Sequence, residues 1–217
     1  MRVPRSSLVL FAVALAVPLP ALSQICRGTV PLAGSIGNVN AAVALFDDGR
    51  TYGGAVTVGS TIFGSASYGY TEYDVGTGIH LNSLGGSIGY EMTQGESGLS
   101  VCPIVGVGYG WGFEIVGVDF TTMALTGGAG LGYRIEIEPG VFVIPSSEVV
   151  VARDRIRTDA GASGTADTYD TYGLVTLSMG FLMRRQRAAL APSVQIPVAS
   201  DGGSAVFGIG VTLAFGR

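Results

Sequence analysis

The chain has no lysine, one histidine, one tryptophan and two cysteines, and beyond residue 23 it has no long apolar run. Each shortage excludes something. All 12 basic residues are arginines, scattered along the chain, so no basic stripe exists to follow a nucleic-acid backbone and nucleic acid is not an expected partner. Only 13% of residues are charged while 47% are hydrophobic, the reverse of the balance that keeps a chain disordered. Apolar stretches past residue 23 are a handful of residues, such as Val149 to Ala152, far short of the roughly 20 that cross a bilayer as a helix. Entry into a membrane would therefore require a closed barrel, the other structure that satisfies every backbone group in lipid. No metal-ligand spacing, phosphate-binding loop or nucleophile elbow is present, so no metal or cofactor is expected.

What is there begins with an address. Arg2 and Arg5 precede the ten-residue apolar run Leu8 to Val17, which Pro18 and Pro20 break. Ala21-Leu22-Ser23 then places small residues at the −3 and −1 positions of a cleavage site, the pattern of a signal peptide over residues 1–23. Gln24-Ile25 stand where a lipid-anchored Cys26 would need small residues, so lipidation is not expected. The remainder, 24–217, is expected to form a single barrel domain with a short N-terminal tail. Without Arg2 and Arg5, ten arginines face 16 acids, a net charge of −6.

That remainder is rich in glycine, 35 in 217 residues, and alternates with period two, which indicates strands. In Ser204 to Phe215, Ala205, Phe207, Ile209, Val211, Leu213 and Phe215 form one face; Gly208, Gly210 and Thr212 lie on the other. Between turn signals such as Asp47-Asp48-Gly49 and Glu138-Pro139-Gly140, ten strands are expected: 37–46, 51–59, 61–74, 81–94, 99–113, 120–134, 141–152, 171–185, 189–199 and 204–215. One parity of each strand is apolar, and the other carries glycine, small polar residues and a few charges. A soluble sandwich would normally show charges along its exposed face, so the pattern fits a lipid-facing wall around a lumen. The expected fold is all-β: a closed antiparallel up-and-down transmembrane barrel of about ten strands, with eight to twelve possible. The topology predicts short turns at the end holding both termini and longer loops opposite, the longest at 153–170. Tyr73, Phe120, Tyr172 and other aromatics are expected in one interfacial girdle and Phe142 in another.

In architecture the chain resembles the small outer-membrane β-barrel proteins of Gram-negative bacteria, of the OmpA-barrel, OmpX and OmpW kind. Its local motif is the last strand, where Gly210-Val211-Thr212-Leu213-Ala214-Phe215 looks like that family's C-terminal insertion signal, carried here by Gly210, Leu213 and Phe215. The family usually stops at the final aromatic, and this chain continues with Gly216-Arg217. The resemblance implies location in the cell outer membrane, contact with outer-membrane lipid, and the barrel-assembly machinery as partner.

Few residues invite chemistry. Cys26 and Cys102 would share one mouth of the barrel, and a bridge between them is expected; it would close a loop of about 75 residues, worth on the order of 4 kcal/mol by chain entropy. Glu91, Arg134, Glu148 and Arg184 have lumen parity and form a candidate charged cluster that would plug or line a narrow pore. His80, with Ser83 three residues on and Glu91 further along, offers the materials of a lipid hydrolase, yet a strand would turn His80 and Ser83 to opposite faces. Glycines with lumen parity, such as Gly106, Gly108 and Gly110, suggest some internal space, against which the charged residues can pair across a narrow lumen. The expected function is structural, or passive permeation or binding of small molecules, with no catalysis. Its rivals are a lipid hydrolase using His80 and a secreted soluble β-protein that binds a ligand.

Overall fold

The computed structural model describes residues 26, 36–59, 61–74, 79–94, 98–115, 118–161, 164–183, 187–198 and 204–215. The leader 1–23, and with it the expected cleavage, lies outside these residues, as does Arg184. No helix among the described residues is long and apolar enough to cross a membrane. The chain runs through β1 (Gly37–Phe46), β2 (Gly49–Gly59), β3 (Ile62–Tyr73), β4 (His80–Tyr90), β5 (Met92–Gln94), β6 (Leu99–Ile115), β7 (Val118–Tyr133), β8 (Ile135–Glu138), β9 (Val141–Asp159), β10 (Thr165–Met183), β11 (Ala188–Val198) and β12 (Val206–Phe215).

These twelve pieces make ten staves. β4 and β5 both pair with β6, and β7 and β8 both pair with β9, so each couple is one strand interrupted at Glu91 or Arg134. At each interruption the backbone still bonds to the preceding stave, one rung past its ladder: Glu91 N–H donates to Thr61 O and Arg134 N–H to Gly98 O. All pairings are antiparallel between sequence neighbours, and the ring closes where β12 pairs β1 from Gly37↔Phe215 to Leu45↔Phe207. Closure leaves no ladder edge, which is the condition for placing a sheet in an apolar medium. The ten expected strands are all present.

Side chains follow the period-two pattern. Along β7, Met123, Leu125, Leu131 and Tyr133 are exposed, while Thr122, Ala124 and Gly130 are buried. Among the described residues, 36 large hydrophobic side chains stand more than a third exposed on the outside of the ring. An apolar surface of that extent is far beyond the few hundred Å² that soluble monomers show. The inside is mixed: Asn40, Thr57, Ser100 and Asp154 are buried there with Phe63, Leu81, Ile144 and Tyr172.

Two expectations fail in register. The segment 153–170 is not a long loop: β9 and β10 run on to Asp159 and from Thr165 in one uninterrupted ladder, leaving only a short tip. Each strand has 19 residues, well beyond the 9–11 that cross a bilayer, so the hairpin projects past the far rim. Its charged residues alternate like the rest, Arg153, Arg155 and Arg157 on one face and Asp154 and Asp170 on the other. The short-turn, long-loop asymmetry is correspondingly weak, because the far end is built from extended strands. The second failure is part of the girdle: Tyr68 and Tyr109 at one level and Tyr90, Tyr133, Phe181 and Phe215 at the other face outward as expected, but four aromatics do not. Tyr73 and Tyr172 are buried inside at 5% and 2% exposure, and Phe120 and Phe142 pack against interior clusters. Phe120 has the parity of the buried Thr122 and Ala124 and so turns inward with them; opposite it, a bulge between Gly110 and Phe113, where Gly112 adopts φ +91°, shifts the register of β6.

The glycines facing inward are not holes. A Cβ at Gly106 would meet Thr126 Oγ1 at 2.7 Å, at Gly208 Ser193 Oγ at 2.8 Å, and at Gly130 the carbonyl oxygen of Cys26 at 2.7 Å. Hydroxyls and Cys26 lean over these bare positions, so the space expected there is taken up. The tail is held by the expected bridge, Cys26 to Cys102, with Cα atoms 6.0 Å apart and both residues fully buried.

Two outcomes follow. A Cβ at Gly128 would lie 2.1 Å from Val149 O and 2.9 Å from Val150 Cα, whereas at Gly127 it would meet nothing within 4 Å. Gly128→Ala should therefore cost about 1–3 kcal/mol by forcing β7 off β9, and Gly127→Ala should cost little, as measured by urea unfolding of the refolded barrel; equal midpoints would contradict the packing. For the bridge, mass spectrometry of folded, unreduced protein should find the Cys26 and Cys102 peptides linked, and two freely alkylatable thiols would contradict it.

Candidate functional site: the lumen and its mouths

The near mouth, where β1 begins and β12 ends, is filled from two sides. Cys26, Phe63, Cys102 and Ile104 pack together, and Ile144, Leu182 and Ala189 form a second cluster with Phe142 and Ala214. The Phe63 ring lies so close over Gly89 that a Cβ there would meet it at 2.2 Å. Both clusters arise because every second residue of β3, β6, β9 and β10 points inward at this level. The single-residue signal for them was parity alone.

The bridge sits on a rung of the wall: Cys102 pairs with Gly130, and Gly130 with Glu148 on the next stave. The Glu91 carboxylate reaches within 4.8 Å of both sulfurs. Sulfurs joined to each other are not thiolates, so this trio has no metal-binding chemistry while the bridge is intact. Of the four residues expected as a charged cluster, Glu91 lies beside the bridge and Glu148 on the same rung of the wall, two staves from Cys102. Arg134 does not join them; it is exposed at the break before β8, its guanidinium 5.7 Å above the Phe142 ring. Arg184 lies outside the described residues.

The middle of the lumen is hydroxyl-rich and paired across neighbouring staves. Asn40 Nδ2 donates to Thr212 Oγ1 at 3.0 Å, and the Ser65–Ser87 and Ser146–Ser178 hydroxyls meet at 2.6 Å. The Oδ1 atoms of Asn38 and Asn40 are buried there without a protein hydrogen bond. Such short, uncharged groups can hold water or a small polar solute, but they bring no nucleophile or general acid.

Aromatic side chains are buried inside the far mouth. Tyr73 and Leu81 are buried together, flanked by Phe46, Ile79 and Phe120. Tyr172 packs with Ala124, Ala152 and Leu174, and its hydroxyl donates to the fully buried Asp154 at 3.1 Å. Sequence reasoning missed Asp154 as an interior residue because its neighbours Arg153 and Arg155 made the segment look solvated. Outside, ion pairs mark the rim: Arg50 with Glu72 and Arg155 with Asp167, both at 2.7 Å. The Arg155 hydrogen bond holds the Asp167 carboxyl below its ordinary range.

His80 is exposed at the start of β4 with its ring 5.8 Å from that of Tyr70. Ser83 donates to Gly69 O at 3.4 Å, and Glu91 follows the opposite end of the strand. Eleven residues of strand separate His80 from Glu91, about 35 Å at ~3.3 Å per residue, so the three groups are not assembled. An open apolar groove of about 400 Å³ lined by Ile62, Ile88, Tyr90, Pro103 and Val105 lies on the outer surface rather than in the lumen.

Gly210, Leu213 and Phe215 lie in the strand that closes the ring, opposite Ala42, Val39 and Gly37 of β1. Leu213 and Phe215 face outward, and Gly210 is buried.

No family model and no curated protein matches the chain. Among solved structures it is similar to the N-terminal β-barrel domain of Pseudomonas aeruginosa OprF, at 15% identity over 84% of this chain and 99% of that one, with a TM-score of 0.40. It is also similar to the β domain of the Bordetella autotransporter BrkA, at 16% identity over 83% of this chain and 100% of that one, TM-score 0.47. The outer membrane protease OmpT of Escherichia coli shows 10% identity over 84% of this chain and 94% of that one, TM-score 0.45. What these structures share with the chain is the all-β barrel architecture.

Proposed function

We propose that the protein is an outer-membrane barrel whose lumen is closed to free diffusion, a structural or small-molecule-binding element of the envelope rather than an open pore. One observation carries the membrane placement. The large apolar side chains point away from the ring while the buried polar ones point into it, an inversion that is unfavourable in water and required in lipid. A secreted soluble β-protein would leave that exterior in contact with water. Export would use the leader 1–23, and assembly would use the closing strand that carries Gly210, Leu213 and Phe215, recognised by the barrel-assembly machinery.

The closed lumen is supported by what fills it. Ten strands enclose a space slightly larger than the eight-stranded barrels whose interiors side chains just fill. Here the near mouth holds the bridged tail and Phe63, the middle holds paired hydroxyls, and the far mouth holds Tyr73, Phe120 and Tyr172. A hydrolase built on His80 finds no support, since its base is exposed at the rim and its expected acid lies at the other end of the strand.

The test is single-channel recording in planar bilayers, with insertion verified by protease protection. The intact protein should give small or undetectable currents, and Cys26→Ser or Phe63→Ala should increase them by loosening the near mouth. Arg134→Ala should change them little, because Arg134 is exposed at the break before β8 and is not among the buried side chains of the mouth. Large stable currents from the intact protein would overturn the closed-lumen reading.

A further inference from the structure

The hairpin that projects beyond the rim has an unusual outward face. On β9 the outward positions change from Val149 and Val151 to Arg153, Arg155 and Arg157, all exposed. Across the β7–β9 ladder, Leu125 stands opposite Arg153 and Met123 opposite Arg155, and these apolar side chains are 63% and 58% exposed. On the other flank, Arg153 covers the exposed Tyr169 ring at 5.8 Å. Between Arg153 and Arg157 the described outward residues include a single carboxylate, Asp167, which Arg155 binds at 2.7 Å. Asp119 and Asp159 oppose each other further out, at the tip. The acids at 154 and 170 have the opposite parity and face the barrel axis. Arg155 is matched by Asp167, and Asp119 and Asp159 lie beyond Arg157, so the positive charge left at the edge of the apolar belt, beside exposed Leu and Met, is that of Arg153 with Arg157 behind it.

We propose that this face binds the phosphate headgroup of an anionic lipid, with the arginines on the phosphate and an acyl chain lying over Leu125 and Met123. The proposal rests on the membrane placement argued above. Guanidinium is suited to the task because its planar fork pairs two phosphate oxygens at once. The geometry supplies what an amphiphile needs, a cationic row and an apolar strip on adjacent staves about 4.8 Å apart. The surface is also continuous with the lipid-facing wall, so the ligand is reached from the bilayer and not from the lumen.

The chain contains its own reporter. Trp111, the single tryptophan, sits on β6 stacked on Tyr109 at 5.8 Å, two staves from the arginine row. Full-length protein is reconstituted in phosphatidylcholine vesicles containing a minor fraction of brominated phosphatidylglycerol or, in parallel, the same fraction of brominated phosphatidylcholine. The anionic lipid should quench Trp111 more strongly, reflecting a local enrichment of about five-fold, the equivalent of about 1 kcal/mol in all, what one basic residue near an anionic headgroup supplies. The excess should disappear in the double variant Arg153→Gln, Arg157→Gln, which removes the two arginines of the row that Asp167 does not bind, and persist in Arg50→Gln, which removes a rim arginine already paired with Glu72; heat-modifiable migration on gels confirms that each variant folds. Equal quenching by the two lipids, or an excess that survives the double substitution, overturns the proposal. Loss of the excess on adding millimolar inorganic phosphate also overturns it, since the site would then take free phosphate. Absence of quenching by either lipid overturns the membrane placement, and the proposal with it.

Discussion

The pairing of β12 with β1 is the contact on which the rest depends. A strand edge in an apolar medium exposes a row of backbone donors and acceptors, each costing several kcal/mol if unmatched. Nine residue pairs from Gly37↔Phe215 to Leu45↔Phe207 remove that edge. Only once the ring is shut can the exterior be uniformly apolar, and only then does an interior exist for Asn40, Thr57 and Asp154 to occupy. Gly37 belongs to the same joint: a Cβ there would meet Thr57 O at 2.3 Å and the Phe215 ring at 3.0 Å. The first and last staves are therefore joined closely at a position that only glycine fits.

Closure sets a second constraint, because the lumen must then be filled. The chain uses three devices at three depths: a disulfide-held tail with Phe63 at the near mouth, hydroxyl pairs along the middle, and buried tyrosines at the far mouth. Inward glycines allow these groups to lean across the axis, as Cys26 does over Gly130. Charge is kept mostly out of the interior. Arg50, Arg134, Arg153 and Arg155 lie on the outside or at breaks, paired with acids or stacked on rings, while Glu91 lies beside the bridge and Glu148 on the same rung of the wall.

The strands were legible because each residue's parity decides its face and every stave obeys it. The errors came where parity was set aside for another cue. Arg153 to Asp170 was taken as a loop on its charge, although Arg153, Arg155 and Arg157 alternate with Asp154, Ile156 and Thr158 as any strand would. Tyr73 was placed in a girdle by its height on β3, although it shares parity with Phe63 and Ser67, which face inward. Phe120 was misplaced in the same way, since it shares parity with Thr122 and Ala124, which face inward. Bare glycines were read as space, because sequence does not show which neighbour leans over them. The site was less legible than the fold: Cys26 and Cys102 were paired correctly from their shared mouth, but Asp154 and Tyr172 give no local cue.

The most direct measurement of the central claim is a spin-label scan along β6, from position 103 to 109, in a variant with both cysteines replaced by alanine and reconstituted in lipid. Labels at 105, 107 and 109 should be accessible to oxygen dissolved in the bilayer, and labels at 104, 106 and 108 should be shielded from it. A scan with the opposite phase, or with no alternation, would contradict a wall that turns its apolar face to lipid.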